Sequence, residues 1–191
     1  VDINAETFNI NVAKIEERIS SKTKAVLPVH LFGQACEMDE ILAIAKKYNL
    51  KVIEDCAQAI GAKYKGQKVG SISDIGCFSF FPSKNLGAYG DAGMMISNSQ
   101  EYSEKVRILS QHGSKLKYHY ELLGINSRLD TIQAAILNVK LKYLDSWTEK
   151  RRKIAETYTQ AFSKFDSIVT PKNLENAFHV YHQYTIRVLN G

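Results

Sequence analysis

The stretch Lys24–Asp55, KAVLPVHLFGQACEMDEILAIAKKYNLKVIED, decides the fold. Lys24-Ala-Val-Leu-Pro-Val29 is a short apolar run with little alternation, the pattern of a strand buried on both faces. His30 to Gln34 turns at Gly33. Ile41, Leu42, Ile44 and Ala45 then recur at helical spacing between Met38 and Tyr48, and Asn49 marks a helix stop. Lys51–Asp55 is a second apolar run, ending in Glu54 and Asp55. Strand, helix and strand in about thirty residues make a βαβ unit, which implies parallel strands and a right-handed crossover. Ligands in such sheets bind beyond the carboxyl ends of the strands. That places Asp55, and with it His30, at the ligand edge.

Outward from this unit, Asn11–Ser20 carries Val12, Ile15 and Ile19 at helical spacing. Downstream, Ile75–Phe80 and Gly93–Ser97 read as buried strands flanking a loop around Lys84. Ser99–Ser110 reads as a helix begun by Ser99, with Glu101 and Glu104 in its early turns. Gln111–Ser127 is irregular, punctuated by His112-Gly113, Gly124 and Asn126. Arg128–Leu144 is an amphipathic helix with Leu129, Ile132, Ala135, Ile136, Val139 and Leu144 as its apolar stripe. Ser146–Phe165 continues as a helix with Ile154, Tyr158 and Phe162 inward, and Val180–Leu189 alternates as a strand does.

Composition is that of an ordinary soluble globular chain, 191 residues long with a net charge of +5. The basic residues are dispersed apart from Lys150-Arg-Arg-Lys153, which on a helix reads as a solvated face rather than a nucleic-acid or membrane contact. Three cysteines (Cys36, Cys56, Cys77) without a CxxC pair argue against a disulfide framework and for the reducing cytoplasm. The five histidines lack metal-site spacing. No apolar run reaches the length of a membrane span. Val1-Asp2-Ile3 reads as the inside of a longer protein.

Chemistry concentrates between Val52 and Gly93, where seven of the eleven glycines lie between Gly61 and Gly93. Lys84 sits in Phe78-Ser-Phe-Phe-Pro-Ser-Lys-Asn-Leu-Gly87. Burial frees a lysine amine of its proton and makes it a nucleophile, and Phe78, Phe80, Phe81 and Pro82 offer an apolar wall. Ser79, Ser83 and glycine-freed backbone amides are suited to an anion such as phosphate. The alternative is a glycine-rich turn packed by aromatics. Asp55 reads either as a helix cap or as the acid that holds a protonated ring nitrogen. An amine, an acid and hydroxyls in this order permit pyridoxal phosphate (PLP) without requiring it.

Five runs in fixed order carry a resemblance. They are Pro28-Val-His-Leu-Phe-Gly33; Val52-Ile-Glu-Asp-Cys-Ala-Gln58 with Gly61-Ala62; Phe78-Ser-Phe-Phe-Pro-Ser-Lys-Asn-Leu-Gly-Ala-Tyr-Gly-Asp91; Gly124-Ile-Asn-Ser-Arg-Leu-Asp130; and Gln133-Ala-Ala135. Together they closely resemble the DegT/DnrJ/EryC1/StrS family, from Val1 to the end. The resemblance implies PLP-dependent aminotransferases of nucleotide-linked keto sugars with the fold-type I α/β architecture. It implies a large PLP-binding domain over 1–145, with a mostly parallel central sheet flanked by helices, and the start of a smaller C-terminal α+β domain over 146–191. It further implies that Lys84 links covalently to PLP and then shuttles the proton, that Asp55 pairs with the pyridine nitrogen, and that Gln58 lies against the ring and its phenolic oxygen. Ser79 binds the phosphate, and Asn126 reaches the cofactor phosphate of the neighbouring subunit, so a homodimer shares the site.

Glutamate is the implied amino donor, and the NSRLD form after Gly124 resembles the branch that aminates at C3. His30, Tyr89, Asp91, His112, His119, Tyr120 and His182 are weaker candidates for the pocket. Relatives that dehydrate sugars carry His in place of the lysine, so Lys84 argues against dehydration; a non-catalytic form of the fold is a third reading. The family carries about a hundred further residues before this point, including a Gly-Thr phosphate clamp and an aromatic ring that stacks on the cofactor. Its C-terminal domain also runs on beyond Tyr181-His-Gln-Tyr-Thr-Ile-Arg187.

Overall fold

A computed structural model describes residues 1–116 and 118–189. Its centre is a four-stranded sheet. Strands β1 (Ala25–Val26), β2 (Lys51–Asp55), β3 (Ile75–Ser79) and β4 (Gly93–Ile96) lie side by side in that order. β1, β2 and β3 run parallel and β4 antiparallel to β3. The sheet is therefore mostly parallel, as the βαβ reading requires.

Helix α1 (Met38–Lys47) makes the crossover from β1 to β2. It buries Met38, Ile41 and Ala45, and full burial of a Met or Ile side chain stabilises by about 1.5–3 kcal/mol. Asp39 and Glu40 in its first turn and Lys46 and Lys47 in its last complement the helix dipole. Asn49 stops it as expected: at φ 52° it takes the left-handed position. The Leu50 N–H reaches Ala45 O at 2.8 Å and the Asn49 N–H reaches Lys46 O at 3.3 Å, a Schellman closure.

Four expectations are corrected. Asn11–Ser20 forms two short 3-10 turns, Val12–Lys14 and Glu16–Arg18, rather than an α-helix. Among the described residues β1 has one covered face, with Val26 buried and Ala25 exposed, and Leu27 just beyond it is 55% exposed in an apolar groove of about 450 Å³ lined by Ile3, Phe8, Ile10, Ile15 and Ile19. Val180–Leu189 is mostly irregular; the short pairings in this part of the chain are Ala177–Phe178 with Lys63–Tyr64, and Arg187–Val188 with Ile168–Val169. Gln111–Ser127, apart from Lys117, which lies outside the described residues, holds a small hairpin of Ser114–Leu116 and His119–Tyr120.

The helices after β4 are α2 (Gln100–Ser110), α3 (Thr131–Leu141) and α4 (Leu144–Phe162). Ser99 caps α2, its hydroxyl accepting from the Tyr102 N–H. In α3 the expected stripe is not the buried face. Leu137 is buried, whereas Leu129, Ile132 and Val139 are 40%, 68% and 61% exposed. α3 is apolar around most of its circumference, so spacing alone does not pick its inner side. In α4, Thr148 and Ala155 face inward, while Ile154 and Tyr158 are about half exposed.

The carboxyl end of β2 is fixed by a buried anion. Glu54 is fully buried, and its carboxylate accepts five hydrogen bonds, from His30 Nε2 (3.0 Å), Gly70 N (2.7 Å), Ile72 N (3.0 Å), Ser73 N (2.9 Å) and Ser73 Oγ (3.0 Å). His30 Nδ1 accepts from the Cys36 N–H at 3.0 Å, so the ring is the Nε2–H tautomer and donates to Glu54. Burial works against the Glu54 charge, but the bonds from His30, Gly70 and Ser73 outweigh it and hold the carboxyl below its ordinary value of 4.5. The close turn that delivers these donors needs glycine twice. Gly70 has φ +86°, and a Cβ on Gly76 would stand 2.3 Å from Gly70 O.

Glu54→Gln places an amide N–H among donors. We expect a loss of about 2–4 kcal/mol in urea unfolding. The Glu54 contribution is complete above the ordinary glutamate value and is lost as pH falls through the lower folded value, so the same variant flattens the acid side of the stability–pH curve.

Candidate active site

Register on the sheet gathers the candidate residues. Asp55 pairs with Cys77 across β2 and β3, and alternate residues along a strand share a face. Asp55, Cys77 and Ser79 therefore line one face. Glu54 and Gly76 turn to the other, which is sealed, whereas Asp55, Cys77 and Ser79 are only half-buried. The result is a short row of acid, thiol and hydroxyl at the carboxyl edge of a parallel sheet.

Each donor and acceptor in this row is half committed. Asp55 Oδ1 accepts from the Ala57 N–H at 2.9 Å, a local Asx turn, and among the described residues Oδ2 takes no hydrogen bond. No helix follows Asp55, so the helix-cap reading is corrected to this turn, which uses one carboxylate oxygen and leaves the other open. Ser79 Oγ accepts from the Phe81 N–H at 3.3 Å, leaving its O–H to donate. Gln58 Oε1 accepts from the Phe32 N–H at 2.7 Å, leaving its NH₂ group for another acceptor.

Lys84 follows β3 on a tight loop. The Lys84 N–H reaches Phe81 O at 2.9 Å and the Ala88 N–H reaches Phe80 O at 2.7 Å. Gly87 lies against the Pro82 carbonyl, where a Cβ would come within 2.3 Å, and its own carbonyl accepts from Lys140 Nζ. The aromatics hold this loop down rather than wall in the amine. Phe80 is buried with Leu86, Ala88, Leu137 and Leu144, while Phe81 is 50% exposed and Lys84 itself half-buried.

Other candidates separate from this group. Asn126 lies before α3, bridged to Gln111, and its Oδ1 accepts from Arg128 Nε at 3.0 Å. It is exposed and shares no hydrogen bond with Asp55, Gln58, Ser79 or Lys84 among the described residues. His30 is not at the ligand edge; both of its ring nitrogens are spent on Glu54 and Cys36. His30, Glu54 and Cys56 come within 4.8 Å of one another, but two of the three are saturated, and burial pushes the Cys56 thiol up. All three thiols are free. Tyr89 is exposed, its N–H donating to Gln133 Oε1 at 2.8 Å.

The segment His179–Gln183 carries residues that sequence reasoning weighed too lightly. The Val180 N–H donates to Gly33 O at 2.9 Å and the Gln183 N–H to Phe32 O at 3.3 Å. Phe32 and Tyr181 both hold positive φ, 57° and 45°. Arg151 Nη1 donates to Tyr181 O (3.2 Å) and Arg152 Nη1 to His179 O (3.0 Å). The basic run of α4 is therefore solvated only in part: Lys150 and Lys153 are exposed, while the two arginines clamp this strap, with Arg152 also 4.3 Å over the Phe178 ring.

Comparison with known proteins follows the same lines. A profile of the DegT/DnrJ/EryC1/StrS aminotransferase family matches residues 1–191. The chain belongs to this family. It is 56% identical over 98% of its length to a "Pleiotropic regulatory protein" of Geobacillus stearothermophilus. It is 47% identical over 98% to a UDP-N-acetyl-3-dehydro-alpha-D-glucosamine 3-aminotransferase of Acidithiobacillus ferrooxidans. The crystal structure of Streptomyces venezuelae DesV with a ketimine intermediate superposes with a TM-score of 0.96 at 37% identity, over 98% of this chain and 51% of that one. The chain spans about half the length of the curated relatives it matches, 51% of each of the two named. The α/β architecture of PLP aminotransferases is that of this chain.

His179 gives the strap a pH signature. Burial, then the Arg152 charge, outweigh its bond to the Gly33 backbone and lower it to about 4, from 6.5. Its contribution to stability is complete above pH 6.5 and is lost as pH falls toward 4. We expect urea-unfolding stability to rise with pH across that window, and His179→Phe, which keeps a ring against Tyr181 (3.9 Å in the native stack), to flatten that slope.

Proposed function

We propose that the full protein is a PLP-dependent aminotransferase that moves an amino group from glutamate to a nucleotide-linked keto sugar, at C3. The observation that carries this reading is the half-committed set of Asp55 and Ser79 on one face of the sheet, with Gln58 just after β2 and Lys84 on the loop after β3. The residues fit the cofactor: a carboxylate oxygen for the pyridine nitrogen, an amide NH₂ for the phenolic oxygen, a hydroxyl for the phosphate and an amine for the aldehyde. When bound, PLP supplies an electron sink for the carbon that loses or gains the amine.

The residues of this chain do the rest. Asp55 keeps the ring nitrogen protonated, and its Asx turn fixes the direction of the free oxygen. Lys84 provides the covalent anchor and moves the proton between carbon and cofactor. The sealed far side of the sheet, with Glu54 at its centre, keeps Asp55 from shifting. The relative named for amination at position 3 supports the C3 assignment. In this reading residues 1–145 belong to the PLP-binding domain and 146–191 open the smaller one. The free thiols fit the cytoplasm. No helix among the described residues is long and apolar enough to cross a membrane.

The homodimer is part of the proposal. Leu123, Ile125, Ile132 and Val139, 61–100% exposed, lie before and after Asn126 in the chain. Exposed apolar residues of this kind suit an interaction site, and Asn126, itself exposed, keeps an amide able to donate to the partner's cofactor phosphate.

In the full protein, ¹⁵N from labelled glutamate is expected in the sugar product, with Lys84→Ala slowing transfer by about 10³-fold or more. Transfer at the wild-type rate in that variant removes Lys84 from the chemistry. Ile132→Asp with Val139→Asp is expected to halve the mass seen by sedimentation equilibrium; an unchanged mass places the dimer contact elsewhere.

A further inference from the structure

We propose that His182 is a positioning residue for Lys84, acting through Asn85. The inference rests on the reading of Lys84 as the reactive amine, and its argument begins with hydrogen-bond direction. Asn85, the residue after Lys84, is 8% exposed. Its Nδ2 donates to Val180 O at 3.2 Å, so the atom that faces the His182 ring is the amide oxygen. His182 Nδ1 lies 3.0 Å from that oxygen and must carry the proton. The ring is thus the Nδ1–H tautomer with an unprotonated Nε2.

This short chain of bonds ties the Lys84 backbone to a part of the fold that is itself held twice. On one side the Val180 N–H bonds to Gly33 O, and a Cβ on Gly33 would stand 3.0 Å from His182 N. On the other, Arg151 Nη1 reaches the Tyr181 and His182 carbonyls at 3.2 and 3.5 Å. Side chains at a reactive centre are placed by such outer partners, and misplacement by an ångström costs rate steeply.

The electrostatics agree with a neutral ring. Burial first, then the charges of Lys84 and of Arg151 on α4, lower His182 from 6.5. Both charged groups acting on it are cations, which disfavours a further positive charge on the imidazole beside the lysine. When the Lys84 charge is removed, the proton affinity of His182 rises.

The experiment uses the full chain and two readouts. The first is the rate at which Lys84 captures free PLP under cyanoborohydride, measured by peptide mass spectrometry. We expect His182→Leu and Asn85→Ala to slow capture about tenfold. His182→Asn keeps an N–H donor where Nδ1 stands and is expected to remain within about threefold of wild type. Trace acetylation of Lys84 should change less than about twofold in all three, which separates positioning from loss of fold. The second readout is ¹⁵N NMR of His182, expected to show the Nδ1–H tautomer in the wild type, its loss in Asn85→Ala, and a higher titration point in Lys84→Gln. Capture at the wild-type rate in His182→Leu overturns the proposal, as does an unprotonated Nδ1 in the wild type. Failure of Lys84 to capture PLP in every protein, wild type included, overturns the cofactor reading instead, and the NMR readout then decides the positioning role alone.

Discussion

One buried carboxylate sets the frame. Glu54 has no exposure to water, and the five donors around it come from His30 and from the turn at 70–73. An isolated charge there would cost several kcal/mol, and replacing its donors one at a time leaves that cost uncompensated. The turn between β2 and β3 therefore has one shape, and the end of β1 is held to β2 through His30. Asp55 is the next residue along the chain. Its backbone is pinned on both sides, with its N–H on Pro28 O at 2.9 Å and its carbonyl accepting from His30 N at 3.0 Å. The half-buried side chain of Asp55 is placed by its fully buried neighbour Glu54.

The site follows from period-two geometry on that frame. Because Asp55 and Cys77 are register partners, Ser79 falls on the same face two residues further on. β4 closes the edge in the opposite direction and returns the chain to Phe80, whose N–H bonds to Ala92 O at 2.8 Å. The loop between them, with Lys84 on it, is then held by Phe80 in a core with Leu86 and Leu137. Rigid elements carry the acid and the hydroxyl; a packed loop carries the amine. The strap at 179–183 ties α4 to that loop, through Arg151 and Arg152 on one side and Asn85 on the other.

The sequence shows the βαβ unit plainly because its signals are local: an apolar run, a stripe at helical spacing, Asn49 as a stop. Lys84, Asp55 and Ser79 are legible for a different reason, as motifs in fixed order rather than as physics. Glu54 is the residue that sequence reasoning passed over. An acid at a position that alternation places inside an apolar strand is the available signal, yet its donors lie up to twenty-four residues away and nothing local names them. The face of α3 fails for a related reason. A helix apolar on several sides has no unique inner stripe, and what covers the remainder is not encoded in its own spacing. The role of Arg151 and Arg152 depends on carbonyls about thirty residues downstream, beyond the reach of any local pattern.

The central claim is that Asp55, Ser79 and Lys84 form one cofactor site at the edge of the sheet. It is tested most directly by reducing the full protein with borohydride in the presence of PLP and mapping the modified peptide by mass spectrometry. The account predicts a single pyridoxyl group on Lys84, with occupancy lowered by Asp55→Ala and by Ser79→Ala. A pyridoxyl group on another lysine, or spread over many, contradicts it.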